Sequence, residues 1–170
     1  GRAGVTVLFD PAWLLDKESA SDFSNGIDDW SVFKPFGPAE RWWRDRVQGA
    51  ELIAHPDKPG AQVLHVRRPD EKAGDGAVWN FPMGVAGELT LKVLLREGFG
   101  GATISLLDRF FDPTDSRVPI EAPFSLPIAP DGRIALRQPL LALDAWHTLT
   151  FRWDLATRTC VVSVDGEERV

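Results

Sequence analysis

The chain has 170 residues, of which 44% are hydrophobic and 26% are charged, and this size and composition fit one globular domain. Its formal net charge of −6 argues against nucleic-acid binding, because nucleic-acid-binding domains usually carry a basic face. A single cysteine excludes an internal disulfide and a cysteine-based zinc cluster, and no apolar run is long enough to span a bilayer.

Residues 1–29 predict a strand and a connecting segment that pack on the main domain. Val5–Phe9 has the composition of a short strand and is followed by Asp10-Pro11. An Asp cap before a Pro at the first helical position predicts a short helical turn over Ala12–Leu15. Asn25-Gly26 marks a sharp reversal of the chain, after which Trp30–Phe33 begins the main domain.

Residues 30–170 predict an all-β domain, because about ten short strand-like runs alternate with connectors that contain Gly and Pro. We expect this domain to continue past residue 170 in a longer protein, or its last strand to pair with Val5–Phe9. The runs between Trp30–Phe33 and the last hairpin are Ala50–Ala54, Gln62–Arg67, Ala77–Phe81, Glu88–Leu95, Ala102–Leu107, Phe124–Ile128 and Arg133–Arg137.

The stretch 146–166 predicts an antiparallel hairpin that is buried on one side. Two strand-like runs flank the polar turn Asp154–Thr159, and the second run ends in the tight-turn pair Asp165-Gly166. At the period of two that a strand imposes, alternate residues share a face. One face then carries Leu149, Phe151 and Trp153, and the other carries Thr148, Thr150 and Arg152.

This hairpin, with its pattern W-H-x-L-x-F-x-W-D and V-x-V-D-G, resembles the late hairpin of laminin-G-like and concanavalin A-like lectin/glucanase sandwiches. The resemblance covers roughly Trp30 to Val170 and implies two packed antiparallel sheets of jelly-roll-like form. We expect Leu91, Val93, Ile104, Leu149, Phe151, Trp153 and Val162 to share the core.

Catalytic members of this superfamily place carboxylates in a Glu-x-Asp-x-x-Glu pattern on one strand. That spacing puts a nucleophile and an acid/base on the same face, about 5 Å apart. No strand of this sequence has the pattern, because Glu88, Glu97 and Glu121 stand alone. We therefore expect no glycosidase activity from this domain by itself.

An aromatic and basic loop is the first candidate ligand site. Trp42 and Trp43 are adjacent, and arginines surround them at Arg41, Arg44 and Arg46. An exposed indole stacks on the apolar face of a sugar ring, and an arginine fork holds a carboxylate or sulfate. The alternative is that one indole closes the end of the sandwich, with the arginines solvated or paired with nearby acids.

A polar strand face is the second candidate ligand site. His65 and Arg67 alternate with Leu64 and Val66, and Arg68 follows. A saccharide groove would present such a face, but so would any solvent-facing strand. With the arginine-rich loop, this face favours an acidic glycan over a neutral one.

The densest acidic cluster is a candidate calcium site. Asp108, Asp112 and Asp115 lie on one loop-like segment, and carboxylate oxygens are the ligands that Ca²⁺ prefers. The alternative is a polar turn in which Asp112 and Asp115 cap backbone amides, helped by Pro113.

These features support three hypotheses. The first is a non-catalytic carbohydrate-binding or accessory module of a larger secreted or periplasmic protein. That protein would be a glycoside hydrolase, a sialidase-like protein or a polysaccharide lyase. The partner of the module would be an adjacent domain of the same polypeptide. The second is a jelly-roll enzyme domain that uses loop carboxylates such as Asp108 or Asp112. The third is a structural domain that packs beside a catalytic neighbour.

Overall fold

A computed structural model describes residues 18–27, 30–33, 50–67, 76–79, 81, 84–107, 117–134 and 141–169. This part of the chain is nearly all-β. Its elements are β1 Trp30–Phe33, β2 Glu51–Ala54, β3 Gln62–His65, β4 Gly76–Trp79, β5 Ala86–Leu94, β6 Ala102–Leu106, α1 Val118–Glu121, β7 Phe124–Ile128, β8 Trp146–Asp154, β9 Thr159–Val164 and β10 Glu167–Glu168.

Two sequence predictions lie outside the described residues, namely the strand Val5–Phe9 and the helical turn Ala12–Leu15. The strand predicted at Arg133–Arg137 is described only in part, and its Ile134 forms an isolated antiparallel bridge with Ile128. The remaining predicted strands coincide with β1 to β9 to within two residues at each end; for example, β3 ends at His65 rather than at Arg67. The all-β prediction is therefore confirmed for the part of the chain that the structure describes.

The strands form antiparallel pairs throughout the described ranges. A four-stranded sheet has the order β10-β9-β8-β5, and three two-stranded sheets pair β1 with β4, β2 with β3, and β6 with β7. In the four-stranded sheet all nine residues of β5 pair with all nine of β8, from Ala86 opposite Asp154 to Leu94 opposite Trp146. β5 and β8 therefore form the longest strand pairing in the described part of the chain.

The inner face of the four-stranded sheet is apolar. Cross-strand rows run over β5, β8 and β9 and place large side chains side by side, which stabilises a sheet through direct contact. The rows are Leu89–Phe151–Val162 and Leu91–Leu149–Val164. Because Leu149 and Phe151 are only 0% and 2% exposed, the centre of the domain lies against this face.

The β6–β7 hairpin provides the second layer of the core. Leu126 and Ile128 of β7 are buried in the same cluster as the inner face, and Ile104 and Leu106 of β6 pack against it. Ile134 and Leu141 from the following segment complete the cluster. The four-stranded sheet and the hairpin therefore enclose one hydrophobic core in a sandwich-like arrangement.

Six of the seven predicted core residues belong to this core, and Trp153 lies at its margin. Trp153 is on the inner face but is partly exposed. Its indole covers Gly87, where an added Cβ would come within 2.5 Å of the ring, and its Nε1 donates to the Gly84 carbonyl oxygen at 3.3 Å. Gly87 therefore leaves room for the ring that closes this end of the sheet.

A tight turn joins β9 to β10. Asp165 and Gly166 have φ angles of 51° and 86°, the left-handed conformation that a two-residue hairpin turn of type I′ requires at both positions. The Asp-Gly pair suits this conformation because glycine adopts it without steric cost and aspartate tolerates it. The turn predicted from this pair is confirmed.

Candidate functional site

We define the outer face of the four-stranded sheet as the side opposite the core. Its members are Ala86, Glu88, Thr90, Lys92 and Leu94 of β5, Trp146, Thr148, Thr150, Arg152 and Asp154 of β8, Thr159, Val161 and Ser163 of β9, and Glu168 of β10. None of these side chains is buried by the described part of the chain. The outer face is therefore a broad, mainly polar surface that two long strands hold in fixed register.

Hydroxyl groups line the middle of the outer face. Thr90 Oγ1 and Thr150 Oγ1 lie 3.2 Å apart and share a hydrogen bond between β5 and β8. Ser163 is the β9 partner of Thr150, and Thr148 lies two residues before Thr150 on the same face. Because a hydroxyl can donate one hydrogen bond and accept two, this cluster can match a ligand that carries hydroxyl groups of its own.

Charged groups border the hydroxyl cluster at one end of β8. Arg152 Nε donates to Glu88 Oε2 at 2.9 Å, and the two side chains are 71% and 51% exposed. Asp154 Oδ1 accepts the backbone N–H groups of Ala156 and Thr157, and so it caps the turn between β8 and β9. Both carboxylates are therefore engaged within the domain.

Trp146 lies at the opposite end of the outer face. Its Nε1 donates to Asp57 Oδ2 at 2.7 Å, and the His55 ring stacks on the indole with centroids 4.9 Å apart. His55 Nδ1 also accepts the backbone N–H of Asp57 at 3.0 Å. The turn between β2 and β3 thus holds a partly exposed indole beside an imidazole and an exposed carboxylate.

His147, the next residue of β8, points to the inner side and is structural. Its Nδ1 lies 2.7 Å from Asp165 Oδ2, its Nε2 lies 3.3 Å from the Ala142 carbonyl oxygen, and its side chain is only 11% exposed. Asp165 Oδ1 accepts the Thr148 N–H at 2.8 Å. The Thr148 amide and the His147 side chain lower the pKa of Asp165, so the carboxylate stabilises the turn in its ionised form.

A row of rings forms a second aromatic feature. Phe23 contacts Trp30, Trp30 stacks on Trp79 with centroids 5.8 Å apart, and Phe81 lies between Trp79 and Trp153. Every ring in the row has an aromatic neighbour, which is the arrangement of a packing contact. The row links the β1–β4 sheet to the four-stranded sheet.

The predicted ligand residues divide into two groups. Trp42, Trp43 and Arg44 lie outside the described residues. His65 and Arg67 are described, and the register places His65 directly opposite Glu51 on the β2–β3 hairpin. Arg67 Nη1 lies 3.0 Å from Glu51 Oε1, so this arginine takes part in an ion pair with a neighbouring acid.

The predicted calcium ligands Asp108, Asp112 and Asp115 lie outside the described residues. In the part of the chain that the structure does describe, no three His, Cys, Asp or Glu side chains are grouped closely enough to hold a metal ion.

Sequence reasoning did not identify Trp146 and Asp57 as site residues. The signal for Trp146 was present, because the alternation that predicts Thr148, Thr150 and Arg152 on one face places Trp146 on that face as well. No local sequence pattern indicates a role for Asp57, because its contact with Trp146 joins residues 89 positions apart in the chain.

Comparison with known proteins gives no family assignment. No protein-family model matches this chain, and no curated protein sequence matches it. Within the described ranges, the chain has no helix with the length and apolar character needed to cross a membrane.

Proposed function

We propose that this domain is a non-catalytic glycan-binding or accessory module, built on a concanavalin A-like, jelly-roll-like sandwich. It would serve a larger secreted or periplasmic carbohydrate-active protein and pack beside an adjacent domain of the same polypeptide. One observation carries the proposal: the outer face combines a central cluster of hydroxyl groups with a partly exposed indole at one end.

The chemistry of this face suits a saccharide. Sugar rings present apolar C–H surfaces that pack on indoles, and their hydroxyl groups both donate and accept hydrogen bonds. Thr90, Thr150 and Ser163 supply such groups from three neighbouring strands, and the sheet fixes their spacing before any ligand arrives. A rigid, preformed surface reduces the entropy lost on binding.

A glycan array probed with the whole chain, followed by calorimetry of any ligand found, tests the proposal. We expect Trp146→Ala to weaken binding about two- to tenfold, which corresponds to the free energy that one aromatic contact contributes. Thr150→Val removes a hydroxyl at nearly constant shape and should also weaken binding. Its matched control is Thr103→Val, an exposed threonine on β6 in the other layer, which should bind as the parent does.

Failure of the array to detect any glycan would contradict the proposal and favour the structural-domain hypothesis. Equal binding by the parent and the Trp146 and Thr150 variants would place the site elsewhere. Circular dichroism of each variant checks that the sheet is intact.

A second function, glycoside hydrolysis, has one observation in its favour. Glu88 and Asp154 lie diagonally on adjacent strands of the outer face, a relation that brings Cα atoms to about 7 Å. Retaining glycosidases need two carboxyl groups about 5 Å apart. Against this function, Glu88 binds Arg152 and Asp154 caps a turn.

Turnover of chromogenic glycosides separates the two functions. We expect none from the parent protein. If the parent protein does hydrolyse a glycoside, Glu88→Gln should abolish the activity and Glu121→Gln should leave it unchanged. That result would establish an enzyme on this face.

A further inference from the structure

We infer that Asp57 and His55 are positioning residues for Trp146, an inference that rests on the proposed function. They fix the indole in one orientation and leave one of its faces to stack on a sugar ring. Three contacts carry the inference, and all of them join the β2–β3 turn to the first residue of β8 or order the turn itself.

Asp57 fixes the edge of the indole. The Trp146 Nε1–H donates to Asp57 Oδ2 at 2.7 Å, a distance typical of a hydrogen bond to a charged acceptor. The indole has no other hydrogen-bonding group, and a half-turn of the ring about its bond to Cβ would carry the N–H away from the carboxylate. This one bond therefore selects one orientation of the ring.

His55 fixes one face of the indole. Its imidazole stacks on the Trp146 ring with centroids 4.9 Å apart and planes inclined by 27°. Its Nδ1 accepts the backbone N–H of Asp57 at 3.0 Å, so the residue that binds the edge of the indole also orients the imidazole. In the described part of the chain no second ring stacks on this indole, which is partly exposed. The face away from His55 is the one we assign to a ligand.

The turn that carries both residues is built to hold its shape. At its base the His55 N–H donates to the Ala61 carbonyl oxygen at 2.9 Å, and the Ala61 N–H donates to that of Lys58 at 3.2 Å. Pro56 and Pro59 each fix a backbone φ near about −65°. The turn can therefore impose an orientation on the ring before a ligand arrives, and such preorganisation reduces the entropy lost on binding.

Stacking, rather than charge, defines the ligand class at this position. Asp57 is followed by Lys58, and Lys92 lies diagonally across from Trp146 on β5, so the charges near the ring are mixed. A pyranose with equatorial hydroxyl groups presents apolar C–H groups on its faces, and an indole packs on such a surface. Thr148, two residues along β8, presents a hydroxyl group beside the same ring position.

Hydrogen exchange of the Trp146 Nε1–H, followed by NMR, tests the positioning without any ligand. Loss of the signal in Trp146→Phe assigns it. We expect Asp57→Ala to speed the exchange about tenfold, because it removes a hydrogen bond to a charged group. Asp57→Asn keeps a side-chain oxygen as acceptor and should stay close to the parent. The matched control is Asp131→Ala, which removes an exposed turn aspartate bound to Arg133 and should leave the exchange unchanged.

Calorimetry with a hexasaccharide of β-linked glucose measures the effect on binding. We expect Asp57→Ala to weaken binding about two- to tenfold, the range expected for Trp146→Ala. In a Trp146→Ala background the same substitution should have no further effect, since Asp57 acts through the ring. Asp57→Asn should restore most of the affinity, and Asp131→Ala should bind as the parent does. A merely structural Asp57 would lower stability but leave the affinity of the folded protein unchanged.

His55 is tested in the same way. His55→Ala removes the stacked ring and should weaken binding of the hexasaccharide about two- to fivefold, at the lower end of the range for an aromatic pair. His55→Phe keeps a ring on the indole and should lie closer to the parent. Equal binding by His55→Ala and the parent would refute the role of His55.

Other results overturn the inference in separable ways. Unchanged exchange in Asp57→Ala refutes the positioning contact, and faster exchange with unchanged affinity refutes its role in binding while leaving the outer face as a glycan site. Additive effects of the Asp57 and Trp146 substitutions mean that Asp57 does not act through the ring, which also refutes the inference. A parent protein that does not bind the hexasaccharide refutes the inference, and a glycan array with no hit refutes the proposed function as well.

Discussion

On β8, Leu149 and Phe151 are buried in the core, whereas Thr148, Thr150 and Arg152 alternate with them on the outer face. The inner face of the sheet is therefore mainly apolar and the outer face mainly polar, although the same strands make both. The inner face is held by apolar contacts across three strands, and the outer face by a shared hydrogen bond and an exposed ion pair. Consequently, neighbouring positions on β8 should respond very differently to substitution.

The largest effect should come from the centre of the inner face. Phe151→Ala removes a ring that is 2% exposed, and we expect a loss of roughly 3–5 kcal/mol in the free energy of unfolding. Thr150→Ala, one residue away on the outer face, should change it by less than about 1 kcal/mol. Chemical denaturation of both variants measures the contrast, and similar losses would show that the two faces are not energetically distinct.

A smaller loss is expected at the end of the inner face. Gly87→Ala places a Cβ against the Trp153 ring, so we expect a cost of about 1–3 kcal/mol from overpacking. The same substitution in a Trp153→Leu background should cost less, because the shorter side chain leaves space. Denaturation midpoints of the four proteins form a double-mutant cycle, and additive effects would rule out the contact.

The β9–β10 turn should make stability depend on pH. Because the pKa of Asp165 is lowered in the folded state, its carboxylate stabilises the protein above its unfolded pKa of about 3.9, and the contribution is lost as the pH falls through the folded value. Asp165→Asn keeps an oxygen for the Thr148 N–H but does not titrate. The stability of the parent should therefore exceed that of the variant at neutral pH and approach it in acid.

Denaturation at several pH values between 7 and 2 measures this difference. A constant gap between the parent and Asp165→Asn would show that ionisation of Asp165 does not contribute.

The smallest effect should come from the ion pair on the outer face. Glu88 and Arg152 are both largely exposed, so a double-mutant cycle with Gln at both positions should give a coupling of about 0.2–1 kcal/mol. The coupling should shrink at 1 M salt, where exposed charges are screened. A larger, salt-independent value would mean that this end of the face is shielded from solvent.

Local patterns in the sequence predict much of the described fold. Alternation at Leu149, Phe151 and Thr150 predicts which face each side chain occupies, and Asp165-Gly166 predicts the turn, because both signals act over a few residues. The extension of β5 to Ala86 was missed because Gly87 is unfavourable in a strand interior. In the folded protein the Trp153 ring packs over Gly87 and offsets this unfavourable preference, but Trp153 comes from a distant part of the chain.

The candidate site was harder to predict because it depends on distant pairings. The hydroxyl cluster forms only when β5 lies beside β8 in one register, which puts Thr90 opposite Thr150. Nothing local to either strand specifies that partner. The contact of Asp57 with Trp146 likewise depends on where the β2–β3 turn packs, which composition does not indicate.

The pairing of β5 with β8 also has a consequence for how quickly the chain folds. β8 and β9 are joined by a short turn, so they can meet within microseconds, the time scale of hairpin formation. β5 must close a long loop before Leu94 reaches Trp146, and contacts between residues far apart in sequence slow folding. We expect the β8–β9 hairpin to form first, with β5 joining it at the rate-limiting step. Leu89→Ala should then mainly slow folding, and a change confined to the unfolding rate would show that β5 docks after the transition state.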